Sequence, residues 1–371
     1  MKHSLSTKVT NFVRNLYFPI VAIVASLLLG SLVIIATSTT SPIDAYRSLF
    51  VGAFGGLRQF DETLLKAIPF IFTALSFAMA KRCGIINLGA EGQFAIGALM
   101  GTIVGVSFPN LPLYLHLPLT LIADFLGGAL FGLIPAVLKV QFGASELITT
   151  IMLNYIAKEL ISYFVNGPIM DSASSSYPQS APIPETARLG RLIPGMRVHW
   201  GLVLALLAVL FYYVYLWKTK GGYELRVVGL NPHAGSYAGM NIKRSIIRSM
   251  IFAGGFAGLG GCIEIIAVQG RLMMTSFAVS YGFTGIAVAL LGSNNPVGIV
   301  VAGLLFGGLQ NGALKMQAMT TASSSVVLVV QALVILFVAG RLMFRLRTGR
   351  YLKQRTLAIP PVAMDDRGEQ R

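Results

Sequence analysis

Asn87, Glu91 and Gln93 interrupt KRCGIINLGAEGQFAIGALMG (81–101), a stretch otherwise apolar and punctuated by glycine. A carboxylate or carboxamide in hydrocarbon is costly unless it faces a cavity or a partner. Such groups either bind a polar solute or tie helices together, and for Glu91 both roles stay open. Asn87 and Glu91 stand four residues apart and share a helix face. If a half-helix begins near Gly84 at mid-depth, its free N–H groups add a patch suited to hydroxyls or a carbonyl. Asn154 is a second carboxamide, buried mid-span in ELITTIMLNY (146–155), and its neighbour Tyr155 either stacks on a flat ring or packs. Glu146 fits a structural role in the first turn of a helix that Ser145 caps.

Other chemistries lack their residues. There is no Walker A loop, no G-x-S-x-G and no HExxH, so the chain is not expected to be an enzyme. The four histidines lie apart, and Cys83 and Cys262 have neither disulfide nor metal-site spacing. No repeated filter motif suggests a channel.

The elements that must position these residues are membrane helices. Of 371 residues, 55% are hydrophobic and 12% charged, and the mean hydropathy is +0.72. Soluble domains carry about 25% charged residues. The expected class is all-α, a polytopic membrane protein of about ten transmembrane helices. The net charge of +15 then reads as Lys and Arg gathered in cytoplasmic loops, and nucleic acid is not an expected partner. A span needs about 20 apolar residues. The reading is a cytoplasmic N-terminus (1–16), a transmembrane domain (17–340) and a basic cytoplasmic tail (341–371). Spans are expected at 17–37, 67–80, 85–106 (or a broken helix there), 113–137, 145–165, 199–217, 246–268, 277–291, 297–314 and 326–339. Residues 38–66 are placed outside, partly as surface helix. A Ser- and Pro-rich outer loop covers 166–198, and a basic cytoplasmic loop covers 218–248. With ten spans both termini and the strongly basic loops share one side. Glycine pairs such as Gly127-Gly128 and Gly254-Gly255 predict close helix packing.

Within the basic loop, GLNPHAGSYAGMN (229–241) has Asn231 as an N-cap and Pro232 at the first helical position. A short helix over His233–Ala238, stopping at Gly239, has the form of either a docking element or an ordinary interfacial helix.

GIINLGAEGQFAIG (84–97), ELITTIMLNY (146–155) with Gly167-Pro168, and GLNPHAGSYAGMN (229–241) carry a family resemblance. Over about residues 15–345 the chain resembles permease subunits of bacterial ABC importers of the ribose/simple-sugar and branched-chain amino acid superfamily. It is most similar to the nucleoside-uptake branch, which pairs with a basic-membrane-protein lipoprotein. The resemblance implies a type II-like permease bundle in the bacterial inner (plasma) membrane. Its implied partners are a second permease subunit, identical or paralogous, a cytoplasmic ABC ATPase and an external lipoprotein. ATP and Mg would be used by the ATPase, and no cofactor is expected on this chain. The resemblance also implies that Asn231, Pro232, His233, Ala234, Gly235, Ala238 and Gly239 form the coupling helix. Ala234-Gly235 stands where relatives often have two alanines, a change worth up to about 1 kcal/mol of helix propensity. The implied solute path runs near Asn87, Glu91 and Asn154. For a nucleoside, Asn87, Glu91, Gln93 and Asn154 would meet hydroxyls, while Phe94, Tyr155 and Phe283 would meet the base. The alternatives are a simple-sugar ABC importer and an ion-coupled secondary carrier.

Overall fold

The structure, a computed structural model, describes residues 21, 23–171, 177–277, 279–334, 336 and 337. The expected cytoplasmic N-terminus (1–16) and tail (341–371) lie outside the described residues. Among the described residues the regular structure is helical apart from isolated bridges, with α1 (Ile23–Thr37), α2 (Pro42–Phe54), α3 (Leu57–Arg82), α4 (Ala90–Ser107), α5 (Leu113–Phe142) and α6 (Glu146–Val165). Then follow α7 (Gly201–Lys218), α8 (Lys220–Leu230), α9 (Pro232–Tyr237), α10 (Ile242–Glu264), α11 (Tyr281–Leu291) and α12 (Pro296–Met319). The last described helix is α13 (Ser325–Val334).

The expected ten spans are not met. Among the described residues five helices are long and apolar enough to cross a bilayer: α3, α5, α7, α10 with its π-helical continuation to Gln269, and α12. The number is six if α1 and α2, bent by 116°, make one broken span. The reasons are physical. Helix α11 has 11 residues and rises roughly 16 Å, about half of a 30 Å hydrocarbon core. Helices α4 and α6 reach 18 and 20 residues, but Glu91 and Gln93 in one, and Glu146, Lys158 and Glu159 in the other, keep them outside that set.

Boundaries shift as well. The 38–66 segment, expected outside, is α2 plus the first turns of α3, which makes the second long helix 26 residues rather than the 14 of 67–80. Every residue of α3 from Ala67 to Ala80 is buried, so this helix is the central post of the bundle. Helices α4, α5 and α10 close on one another through glycine. A methyl group on Gly97 would lie 2.2 Å from Gly258 Cα, and one on Gly128 would lie 2.2 Å from the Gly254 carbonyl. Backbone meets backbone there, which small residues permit.

The 166–198 loop is ordered where described. Met170 bridges Ser180, Gln179 bridges Met273, and a 3₁₀ turn covers Glu185–Ala187. Its end is pinned to α3, where the Asp61 carboxylate accepts from the Arg197 and Val198 amides at 2.5 and 2.9 Å. Arg197 also pairs with Glu62 at 2.6 Å. His199 follows, 2% exposed, with Nδ1 accepting from the Gly201 amide. Burial pulls its imidazole down to about 4, against the opposing charge of Asp61.

Candidate functional site, two buried helix starts and a capped loop helix

Helix α3 ends at Arg82, and the chain turns through Gly84 at φ +83°. A left-handed residue there favours glycine, and the Gly229 backbone lies 3.3 Å from where a side chain would start. Residues 85–88 are not helical, so the broken-helix form of the third expected span is the one observed. Asn87 stops the extended run by accepting from the Gly89 amide at 3.0 Å, and α4 starts one residue later. Asn87 and Gln93 hydrogen-bond each other in both directions, at 2.9 and 3.3 Å, and Asn87 Nδ2 reaches Ser76 Oγ at 3.3 Å. Both are buried. Their polar atoms are spent within the protein, on holding α4 to α3.

Asn154 comes from α6 and grips the same start. Its Oδ1 accepts from the Gly92 amide at 2.8 Å, and its Nδ2 donates to the Leu88 carbonyl at 2.9 Å. Gly92 is required by this approach, since a side chain there would meet Asn154 Oδ1 at 2.9 Å. Glu91, half-buried in the first turn of α4, reaches the other way. Its Oε2 accepts from the Gly282 amide, in the first turn of α11, at 2.6 Å. A carboxylate between two helix N-termini is favoured by both sets of unpaired N–H groups.

Phe94 stacks on Tyr281, ring centroids 5.4 Å apart, with Phe277 edge-on at 6.1 Å, and is buried. Tyr155 and Phe283, by contrast, are 64% and 45% exposed. The structure therefore joins Asn87 to Gln93, Glu91 to α11 and Asn154 to α4, and leaves Tyr155 and Phe283 on the outer face of α6 and α11.

Sequence reasoning did not single out Gly282 and Tyr281, because a glycine and a tyrosine in an apolar run carry no charge signal. Glu264 lies inside the span expected at 246–268. It is buried, 3.4 Å from Gln269 Nε2 at the point where α10 turns π-helical, a distortion common at functional positions. Glu146 sits in the first turn of α6 as expected, but the Ser145 side chain makes no cap. Glu146 is held instead by Lys139 at 2.6 Å. Among the described residues no group of three or more His, Cys, Asp or Glu could hold a metal.

The helix expected in the basic loop forms as its cap predicts, one residue earlier at each end. In α9 Asn231 Oδ1 accepts from the His233 and Ala234 amides at 3.0 and 3.2 Å, with Pro232 at the first position. Ala238 follows the last helical residue, and Gly239 turns the chain at φ +73°. Gly235 does more than loosen the helix. It is buried, and a methyl group there would meet Val228 of α8 at 3.2 Å. Leu230, the last residue of α8, and Tyr237, the last residue of α9, are 88% and 95% exposed, large apolar groups of the kind that mark a partner contact. Gly229, one residue before Leu230, packs on the Arg82 carbonyl and the Cys83 backbone. Helix α8, against which the capped helix packs, is thereby in direct contact with the turn that leads to Asn87 and Glu91.

A sequence profile for the branched-chain amino acid transport system / permease component matches residues 59–339. The chain is 38% identical over 342 residues to the guanosine ABC transporter permease protein NupP of Bacillus subtilis (strain 168), covering 92% of this chain and 97% of that one. It is 37% identical over 343 residues to the nucleoside ABC transporter permease protein NupB of Lactococcus lactis subsp. cremoris (strain MG1363), covering 89% and 92%. It is also 37% identical over 360 residues to the glucose ABC transporter permease protein TsgB13 of Haloferax volcanii, covering 94% and 91%. A bundle of apolar helices with two helix starts fastened inside it, matched over most of its length to these proteins, belongs to the permease-component family of branched-chain amino acid-type transport systems.

Proposed function

We propose that this chain is the membrane subunit of an ATP-driven importer of nucleosides. The observation that carries the reading is near full-length similarity to two permeases named for guanosine and for nucleosides. In the proposed cycle an external lipoprotein delivers the nucleoside to the 166–198 face. ATP binding closes a pair of cytoplasmic ATPases docked on Asn231–Gly239 of this chain and of a second permease subunit. Both termini are cytoplasmic in this reading.

The geometry supports a route for that motion. Displacing α9 and α8 loads the contact of Gly229 with Arg82 and Cys83. The same turn runs into the Asn87 and Glu91 segment, where α4 is fastened to α6 by Asn154 and to α11 by Glu91. Moving that turn shifts the α6 and α11 faces that carry Tyr155 and Phe283. Between two permease subunits those rings would cover the base, and the half-buried Glu91 and Asn154 would meet ribose hydroxyls.

A sugar is the second reading, favoured by the glucose permease at comparable identity. Uptake of labelled guanosine by cells expressing the full transporter tests the choice. Competition by adenosine and not by glucose is expected; competition by glucose alone would replace the nucleoside with a sugar. Uptake that persists with a hydrolysis-dead ATPase would sink both readings and leave the carrier.

A further inference from the structure

We propose that the membrane edge where α3, α7 and α8 meet binds the headgroup of an anionic phospholipid. Two guanidinium groups gather there on one indole: Arg82 lies 5.2 Å and Arg226 5.8 Å from the Trp217 ring centroid. Two cations on one ring repel each other, and among the described residues neither is paired with a carboxylate. The nearby acid, Glu224, faces Arg248. The Nε–H of each arginine is buried without an acceptor. Arg82 Nη2 donates to the Asn294 carbonyl at 2.8 Å, a neutral acceptor that leaves its charge uncompensated. Lys218 and Lys220 stand exposed beside the cluster. An oxyanion that presents several acceptor atoms complements this arrangement, and guanidinium forks suit phosphate.

The face of α7 that leads to the cluster says what carries the phosphate. Leu206, Leu210, Tyr213 and Val214 are all more than 40% exposed, and Tyr213 stacks on Trp217 at 5.6 Å. An apolar helix face running into an aromatic pair and then into unpaired arginines matches an amphiphile, with chains along α7 and headgroup at Arg226. Tyr and Trp settle at the same depth of a bilayer, and basic pockets between membrane helices take anionic headgroups.

Trp217 makes the test direct, because the protein has two tryptophans and Trp200→Phe leaves Trp217 as the reporter. The full-length chain is titrated in mixed micelles with dibrominated phosphatidylglycerol or dibrominated phosphatidylcholine, and quenching of Trp217 is followed. Phosphatidylglycerol should quench at a lower mole fraction than phosphatidylcholine. Arg226→Gln should reduce that preference about fivefold, and Arg226→Lys should keep most of it. Equal quenching by the two lipids would overturn the proposal without recourse to any charge variant. So would a preference unchanged in Arg226→Gln, or one abolished by millimolar glycerol phosphate, which would make the ligand a soluble phosphate.

Discussion

Replacing Glu91 separates a residue that fastens helices from one that only touches solute. Its carboxylate accepts from the Gly282 amide at 2.6 Å and sits at the positive ends of α4 and α11. A hydrogen bond to a charged group contributes about 1.5–3 kcal/mol net, and a charge at a helix N-terminus adds about 0.3–1 kcal/mol. Glu91→Ala removes both and should destabilise the bundle by about 2–4 kcal/mol. Glu91→Gln keeps an acceptor for Gly282 and should lose about 1–2 kcal/mol. The protein supplies its own probe, since Cys83 and Cys262 are free and buried. A thiol-reactive fluorogen in detergent labels them only as the bundle opens, so the midpoint of heat-induced labelling reports stability. The expected order is wild type, then Glu91→Gln, then Glu91→Ala. A Glu91→Ala protein that melts with the wild type while transport is lost would refute the clasp and make Glu91 a solute contact alone.

Four further outcomes follow from the same geometry. Asn154→Leu strands the Gly92 amide and the Leu88 carbonyl, at about 1–3 kcal/mol for each group, and the same labelling assay should show it. Asn231→Ala removes the α9 cap and about 1 kcal/mol of local stability; insertion should be normal while solute-stimulated ATP hydrolysis in the assembled transporter falls. Gly229→Ala places a methyl group 2.1 Å from the Arg82 carbonyl, so α8 must shift, and transport should drop further than in Gly239→Ala, where nothing lies within 4 Å. His199 is neutral when folded, held near 4 by burial. Its contribution is therefore full above the ordinary imidazole value of about 6.5 and lost as pH falls toward 4. Proteolysis of the 190–200 segment should accelerate across that window, and His199→Gln should flatten the response.

What could be read from sequence was what depends on residue type along a short window. Asn231-Pro232 carries its own capping chemistry, and α9 forms within one residue of expectation. The polar interruptions at 87–93 and 154 likewise announced buried hydrogen bonds. Their direction was hidden, because the partners are backbone groups: Gly282 lies 191 residues from Glu91, and Leu88 lies 66 from Asn154. The span count failed for a related reason. A short apolar run such as 281–291 reads as a degenerate span, whereas a half-length helix can be stabilised by a carboxylate from elsewhere at its first turn. The 57–66 segment, expected outside and partly as surface helix, is continuous with the buried part of α3, and its Asp61 and Glu62 anchor residues 197 and 198, partners that a short window of sequence does not show.

The glycine contacts of α4, α5 and α10 bear on how such a permease can change over generations. At Gly97 and Gly128 no side chain of any size fits between the backbones, so mutational drift is closed on those faces. Tyr155 and Phe283, by contrast, are left exposed by their own chain. On the proposed reading, in which those two rings face the solute, selection for a new solute can exchange them without loosening the glycine-packed contacts of α4, α5 and α10. A lineage could pass from one small polar cargo to another while its interior stays unaltered. Laboratory evolution toward an altered cargo should accordingly accumulate substitutions on α6 and α11 and leave the glycines of α4, α5 and α10 untouched.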